Sequence, residues 1–291
     1  MDTAISKART LIEALPYVQQ YYGRTIVVKL GGSVMEDVTT ERELLRDVVF
    51  LNYVGVQPII VHGGGKAISD AMRQAGVEPR FVQGLRYTDQ PTLDIAEQVL
   101  CGQINGRIVA TLEELGVEAI GLHSLASCVL FAEHTEAEDS DGRPVDVGHV
   151  GRVTQVNDRI LRLLCNVDTI PVIATIARDP AGGKLNVNAD HAAGEVAAAV
   201  GAEKLVVLSD THGVRRERDD EASLVSTLHE GEITDWIDQG RIDTGMLPKV
   251  QACLRALDAG VKKAHIIDGR LAHSLLLEIF TDKGIGTQIL R

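Results

Sequence analysis

Within the first fifteen positions Ile5, Ala8, Ile12 and Leu15 recur at a helical spacing that draws an apolar stripe along the segment. Pro16 is expected to kink or end that helix. Tyr17, Tyr21 and Tyr22 follow directly. The stripe fits either a helix folded onto its own domain or a projecting arm that buries its apolar face on another subunit. From Thr25 the period changes. Thr25-Ile-Val-Val-Lys-Leu30 reads as a buried strand, and Glu41 to Tyr53 as a helix stopped by Gly55. Pro58-Ile-Ile-Val61 is a second strand, followed by a helix over Lys66 to Gln74 with Gly76 past its end. The alternation continues with a helix near Thr92 to Leu115 and strands at Ala119–Leu122 and Ile170–Thr175. Asp190 is expected to cap a small-residue helix over His191–Val200. Strands at Leu205–Leu208 and Ala264–Ile267 and helices over Lys249–Ala259 and Leu271–Phe280 complete the pattern. Short apolar strands alternating with helices predict βαβ units around a largely parallel sheet.

The most polar stretch, Glu133 to Asp146, contains Asp139-Ser-Asp141-Gly142, which predicts a hairpin turn because the ligand pattern of a calcium loop is missing. Asp179-Pro-Ala-Gly-Gly183 is the best internal boundary, giving segments 1–23, 24–180 and 181–291. The 291 residues are 45% hydrophobic but only 3% aromatic, so the core must be aliphatic. A net charge of −12 argues against sequence-independent nucleic-acid binding, which needs basic surface. A small cationic pocket remains compatible with it. The four cysteines lie far apart, which disfavours a disulfide framework or zinc knuckle. No apolar run is long enough to span a membrane, and the N-terminus lacks a signal core. These features predict a cytoplasmic protein with no nucleic-acid or membrane partner.

Two strands end in glycine-rich turns, Gly31-Gly32 and Gly63-Gly64-Gly65. In a parallel α/β sheet such turns lie where ligands bind, and glycine lets backbone N–H groups approach an anion beside a helix N-terminus. Neither GxxxxGK[ST] nor GxGxxG fits these turns, and a GxSxG nucleophile turn is absent. Taken singly, each turn reads equally well as tight strand–helix packing. Further along, Asn186, Asn188 and Asp190 occupy alternate positions and would share one face of an extended chain. Gly245-Met-Leu-Pro-Lys249 sets a lysine near a helix start. Two lysines, two glycine turns and an aspartate, with no nucleophile and no protein metal cage, point to phosphoryl transfer, which needs positioning and charge neutralisation more than covalent help.

With Phe81–Asp89, Val147–Gly151, Leu208–Gly213 and His265–Thr287 added in the same order, these motifs resemble the amino-acid-kinase family across nearly the whole chain. The resemblance implies a three-layer αβα sandwich preceded by an N-terminal helix, with an acyl-amino-acid-binding lobe over 24–180 and an ATP-binding lobe over 181–291. It implies phosphorylation of the side-chain carboxylate of N-acetyl-L-glutamate by ATP, with Mg2+ held mainly through phosphates, in arginine biosynthesis. By the same resemblance Lys29, Lys249 and Asp190 are catalytic, and Gly31, Gly32, Ser209 and Asp210 bind phosphate and nucleotide. Gly64, Gly65, Arg86 and Asn186 bind the substrate. Tyr21, His265, Glu278 and Gly284 form an arginine effector site, and the helix over 1–23 joins dimers into a hexamer. This chain departs from the family's usual pattern at Leu30, Ser33, Lys66, Thr244 and His123–Ser127. A kinase of acetylaminoadipate in lysine synthesis, and a catalytically silent arginine-sensing homologue, are the alternative readings.

Overall fold

The computed structural model describes residues 2–138, 143–217, 220–243, 245–281 and 284–291. The hairpin turn expected at 139–142, and Thr244, lie outside the described residues. In chain order the elements begin with α1 (Asp2–Tyr21), β1 (Thr25–Leu30), α2 (Val38–Tyr53), β2 (Gln57–His62) and α3 (Gly65–Gln74). A small hairpin, β3 (Phe81–Val82) and β4 (Leu85–Arg86), precedes α4 (Gln90–Glu97). This helix widens into a π-helical segment, Gln98–Ile104, before α5 (Asn105–Glu114). Next come β5 (Ala119–Leu122), β6 (Leu130–His134), β7 (Ala137–Glu138), β8 (Pro144–Val145), β9 (Val150–Val156) and α6 (Asp158–Cys165). The chain continues through β10 (Ile170–Ala174), β11 (Ile176–Arg178), β12 (Lys184–Val187), α7 (Ala189–Val200), β13 (Lys204–Ser209), β14 (Thr227–His229) and α8 (Glu230–Asp238). It ends with α9 (Leu247–Asp258), β15 (Lys263–Asp268), α10 (Ser274–Ile279) and β16 (Thr287–Leu290).

Eight strands form one sheet in the order β14-β16-β15-β13-β1-β2-β10-β5. The six from β15 to β5 are parallel, and β16 runs antiparallel to β15. Alternate residues of β1 feed two cores. Val27 packs in one cluster with α6, α7 and α9, and Ile26 and Val28 pack in the other with α2, α3, α5 and α10. Helices on both faces bury both sides of the sheet, which is why its strands read as continuous apolar runs rather than alternating ones. The result is the three-layer αβα arrangement. β1 pairs with β2 along one edge and with β13 along the other, so the sheet runs unbroken across residue 180. A separate closed set, β11-β12-β9-β6, sits over the carboxyl ends of the central strands. Among the described residues no helix is long and apolar enough to cross a membrane.

Two local expectations are corrected. Pro16 does not end α1, which continues to Tyr21. Proline removes only its own N–H, while the turn beyond it is held by docking. The Tyr17 ring meets Phe280 edge-on at 6.3 Å, Phe280 meets Phe50 at 5.8 Å, and Tyr21 is buried. The first part of α1 stands free instead, with Leu11 and Ile12 each 68% exposed. Nor does Asp190 cap α7. Asn188 is the cap, its carbonyl oxygen accepting from the N–H groups of Asp190 at 2.9 Å and His191 at 3.0 Å. The helix therefore starts at Ala189, and Asp190 keeps its carboxylate for other partners.

Candidate functional site

At the carboxyl ends of β1, β2 and β12 the chain leaves a cavity of about 210 Å³. Its wall includes Lys29, Gly32, Gly63, Gly64, Gly65, Arg86, Asn186, Asn188 and Asp190. Strand β12 ends at Val187, so the Asn186, Asn188 and Asp190 series is not one extended ladder; the turn into α7 brings all three to the same cavity.

Asp190 is the electrostatic centre. One carboxylate oxygen lies 2.7 Å from Lys29 Nζ, and the other lies 3.4 Å from Lys249 Nζ. Burial alone would push the Asp190 carboxyl up, but the charges of Lys29 and Lys249 outweigh it and hold it below the usual carboxylate range. Lys29 is presented by the central strand β1, whereas Lys249 arrives on the first turn of α9. The loop before α9 is folded by Asp243, whose carboxylate accepts from the N–H groups of Gly245 at 2.9 Å and Met246 at 2.7 Å. The Gly245 carbonyl accepts from Lys249 Nζ at 3.1 Å.

The glycine turns converge on this pair. A side chain at Gly32 would stand 3.5 Å from the Gly65 nitrogen, and one at Gly64 would strike Leu100 and Ile104 of the π-helical segment within 2.7 Å. Gly31 lies behind the cavity wall. Its missing side chain admits the Leu208 carbonyl oxygen, which a Cβ would meet at 2.7 Å. The N–H groups of Gly65 and its successors open α3, where a helix has no internal partner for them and its positive end faces the cavity.

Arg86 closes the opposite side. Its Nη2 donates to the Gly65 carbonyl at 2.7 Å and to Ser69 Oγ at 2.9 Å, and its guanidinium lies 4.7 Å from the Phe81 ring centroid. Asn186 donates to Thr88 Oγ1 at 3.3 Å, and that hydroxyl donates to the Arg86 carbonyl at 2.8 Å. Ser69 and Thr88 were not legible from sequence, since a buried hydroxyl carries no pattern of its own. Ser209 ends β13 and Asp210 follows it, neither lining this cavity; Ser209 Oγ donates to the Asp210 carboxylate at 3.2 Å. Among the described residues, no three His, Cys, Asp or Glu side chains converge as a metal cage.

A second and larger cavity, about 510 Å³, lies between α1, β15 and α10. Its lining brings Tyr21, His265, Glu278 and Gly284 together. Glu278 is held by His265 Nδ1 at 2.5 Å and by the N–H groups of Ile285 at 2.7 Å and Gly286 at 3.2 Å. Gly284 has φ of +60°, and a Cβ there would meet both Glu278 oxygens at 2.8 Å. Lys204, which sequence reasoning missed, lines the same cavity with its Nζ 4.9 Å from the Tyr21 ring centroid. Burial, helped by the nearby Lys263, lowers the Lys204 pKa to about 8, and burial raises the Tyr21 hydroxyl to about 12. The only sequence signal for Lys204 was a lysine heading an otherwise apolar strand, which equally describes a solvated strand end.

A mostly parallel α/β sheet whose strand ends gather glycine turns, a helix N-terminus and a lysine pair on one aspartate defines a protein built to hold a small polyanion. The chain belongs to the amino acid kinase family, whose model matches residues 24–268. It is 46% identical over 289 residues to the acetylglutamate kinase of Symbiobacterium thermophilum, covering 99% of each chain. Among solved structures, N-acetylglutamate synthase from Neisseria gonorrhoeae complexed with coenzyme A and N-acetyl-glutamate superposes with a TM-score of 0.86 at 26% identity. That match takes in 98% of this chain but only 63% of the synthase. The same synthase complexed with coenzyme A and L-arginine gives a TM-score of 0.81 at 25% identity, over 97% of this chain and 65% of that one.

Proposed function

We propose that this chain transfers the γ-phosphoryl group of MgATP to the side-chain carboxylate of N-acetyl-L-glutamate, giving N-acetyl-L-glutamyl 5-phosphate and ADP, as a cytoplasmic step of arginine biosynthesis. The observation that carries this reading is the Lys29–Asp190–Lys249 bridge facing two glycine turns across one cavity. The full-length likeness to an acetylglutamate kinase supports the choice of acceptor.

In the reaction a carboxylate oxygen attacks the γ-phosphorus while the bond from that phosphorus to the β,γ-bridging oxygen breaks and its electrons leave on ADP. The attacking carboxylate is already ionised at neutral pH, so no general base is required. The site's task is to bring two anions together and neutralise charge spread over the transferring group. Lys29 and Lys249 supply that positive charge, and Asp190 holds both ammonium groups on station. The N–H groups of Gly32, Gly64 and Gly65 take the phosphoryl and carboxylate oxygens. Arg86 binds the substrate's α-carboxylate, with Asn186 beside it, so the acyl amino acid lies in the lobe 24–180. Gly31, Ser209 and Asp210 border the nucleotide, which occupies the lobe 181–291. Magnesium enters with ATP as part of the substrate.

The larger cavity is read as the arginine site, with Glu278 for the guanidinium, Tyr21 and His265 as walls and Gly284 allowing close approach; the arginine complex of a structural neighbour supports this. Feedback inhibition would act through α1, whose exposed stripe is read as the contact that joins dimers into a hexamer. The decisive experiment is an ADP-release assay with N-acetylglutamate, N-acetylaminoadipate and aspartate, with and without arginine. Turnover confined to N-acetylglutamate supports the reading, a preference for N-acetylaminoadipate redirects it to lysine synthesis, and no turnover with retained arginine binding overturns it in favour of a silent sensor.

A further inference from the structure

His62 ends β2 and leads directly into Gly63-Gly64-Gly65, yet it is wholly buried and faces away from the cavity it adjoins. Its Nδ1 lies 3.1 Å from the Gly63 carbonyl oxygen, and its Nε2 lies 3.1 Å from Nδ2 of Asn105, the first residue of α5. Asn105 Nδ2 also donates to the Val172 carbonyl at 2.9 Å. An amide nitrogen carries two hydrogens, and both are thereby assigned. His62 Nε2 must accept, which leaves Nδ1 to carry the proton and donate it to Gly63. Burial lowers the His62 pKa to about 4, so the ring stays neutral in this tautomer through the working pH range.

The Gly63 carbonyl and the Gly64 N–H belong to one planar trans peptide, so they point in opposite directions. Gripping the carbonyl from the core side turns the Gly64 N–H outward, toward the cavity. The far side of the clamp is the π-helical segment. Leu100 and Ile104 fill the space where a Gly64 side chain would stand, and Asn105 follows at once. A π segment shifts the phase of the helix after it by one residue, about 100° of rotation, and such insertions gather at functional sites. Without it Asn105 would leave the His62 ring. Gly121 completes the seat, since a Cβ there would lie 2.1 Å from Asn105 Oδ1.

We propose that His62 and Asn105 are positioning residues for phosphoryl transfer, a buried relay that aims the Gly64 N–H at the transferring group. The inference rests on the kinase reading above. It predicts an inversion of the usual tolerance. His62→Gln is closer in volume but replaces the Nδ1 donor by a group placed like Nε2, whereas His62→Asn is smaller but keeps an N–H where Nδ1 was. Because the Gly64 N–H is most needed in the transition state, His62→Gln should lower kcat about tenfold or more with KM for both substrates changed less than about threefold, and His62→Asn should lose less. A filler role predicts the reverse order. Equal losses, or kcat in His62→Gln within about twofold of wild type, would overturn the proposal. A second measurement needs neither turnover nor a His62 variant. Nitrogen-15 NMR should find His62 protonated on Nδ1 alone from about pH 6 to pH 8, with that exclusive tautomer lost in Asn105→Ala. An Nε2–H tautomer in the wild type would refute the relay even if the wild type proves inactive on every acyl amino acid, the result that would defeat the kinase reading itself.

Discussion

Replacing Asp190 by Asn removes the one charge shared by two lysines while keeping shape and volume. Lys29 is 6% exposed and extends from the central strand, so its ammonium can turn only within the narrow cavity it lines and stays mostly buried. The Lys249 side chain is 18% exposed and can turn outward, so its loss is partly recovered. Removing one partner of a buried pair costs about 3–5 kcal/mol when the other charge stays buried, and the freedom of Lys249 places this case near about 3 kcal/mol. At about 2–4 °C per kcal/mol for a chain of this size class, Asp190→Asn should melt about 6–12 °C below wild type at pH 7 in differential scanning fluorimetry at matched concentration. The pH dependence fixes the cause. The Asp190 carboxyl titrates below its ordinary value in the folded state. Its contribution is therefore fully present above the unfolded value near about pH 4 and is lost as pH falls through the folded value. The gap between variant and wild type should hold from neutral pH down to about pH 4 and narrow below it. A variant melting within about 2 °C of wild type, or a gap that stays constant under acid, would refute this account of the bridge.

Lys249→Ala should lower kcat at least about a hundredfold, with a smaller effect on KM, since its charge is most needed as the phosphoryl group moves; near-normal turnover in the ADP-release assay would remove it from the mechanism. Lys204→Met should raise thermal stability at pH 7 by about 1–3 kcal/mol, because the folded state disfavours the ammonium that the unfolded chain keeps. That sign follows from a folded pKa of about 8 lying below the unfolded 10.5: wild type regains stability between those values, so the variant's advantage should fade above about pH 10 in the same melts. On the reading that the exposed stripe of α1 joins dimers into a hexamer, Leu11→Glu combined with Ile12→Glu, which spares Tyr17 and Tyr21, should leave only dimers by light scattering; the same mass in variant and wild type would mean that the stripe joins nothing.

Strand and helix periodicity was enough to read the sheet's parallel character, because β1, β2, β10 and β13 are buried on both faces and announce themselves as apolar runs. The glycine turns were legible for the same reason, standing where β1 and β2 stop, with Lys29 one residue before the end of β1; Lys249 was legible instead from the Gly245-Met-Leu-Pro turn that opens α9. What was hidden depends on distant partners. Asp190 and Asn188 are both good caps in isolation, and only the arrival of Lys29 and Lys249 explains why the asparagine takes the cap. The π-helical segment keeps its apolar residues Val99, Leu100, Cys101 and Ile104 buried, so the widened turn leaves little trace in a pattern read with ordinary helical period. His62 sits in a motif whose sequence signal is its glycines, and the contact that marks it out comes from Asn105, 43 residues away in sequence.

The place of β1 has a consequence for how this chain can be divided. Thr25–Leu30 shares its ladders with β2 on one side and β13 on the other, and Leu185 and Val187 join the same apolar cluster as Val27 and Ile59. A cut within Asp179–Gly183 would leave each piece with a long, apolar, unpaired edge. The two fragments should thus be insoluble when made separately and should rebuild one molecule when made together, with the Lys29–Asp190 contact as the stitch across the seam.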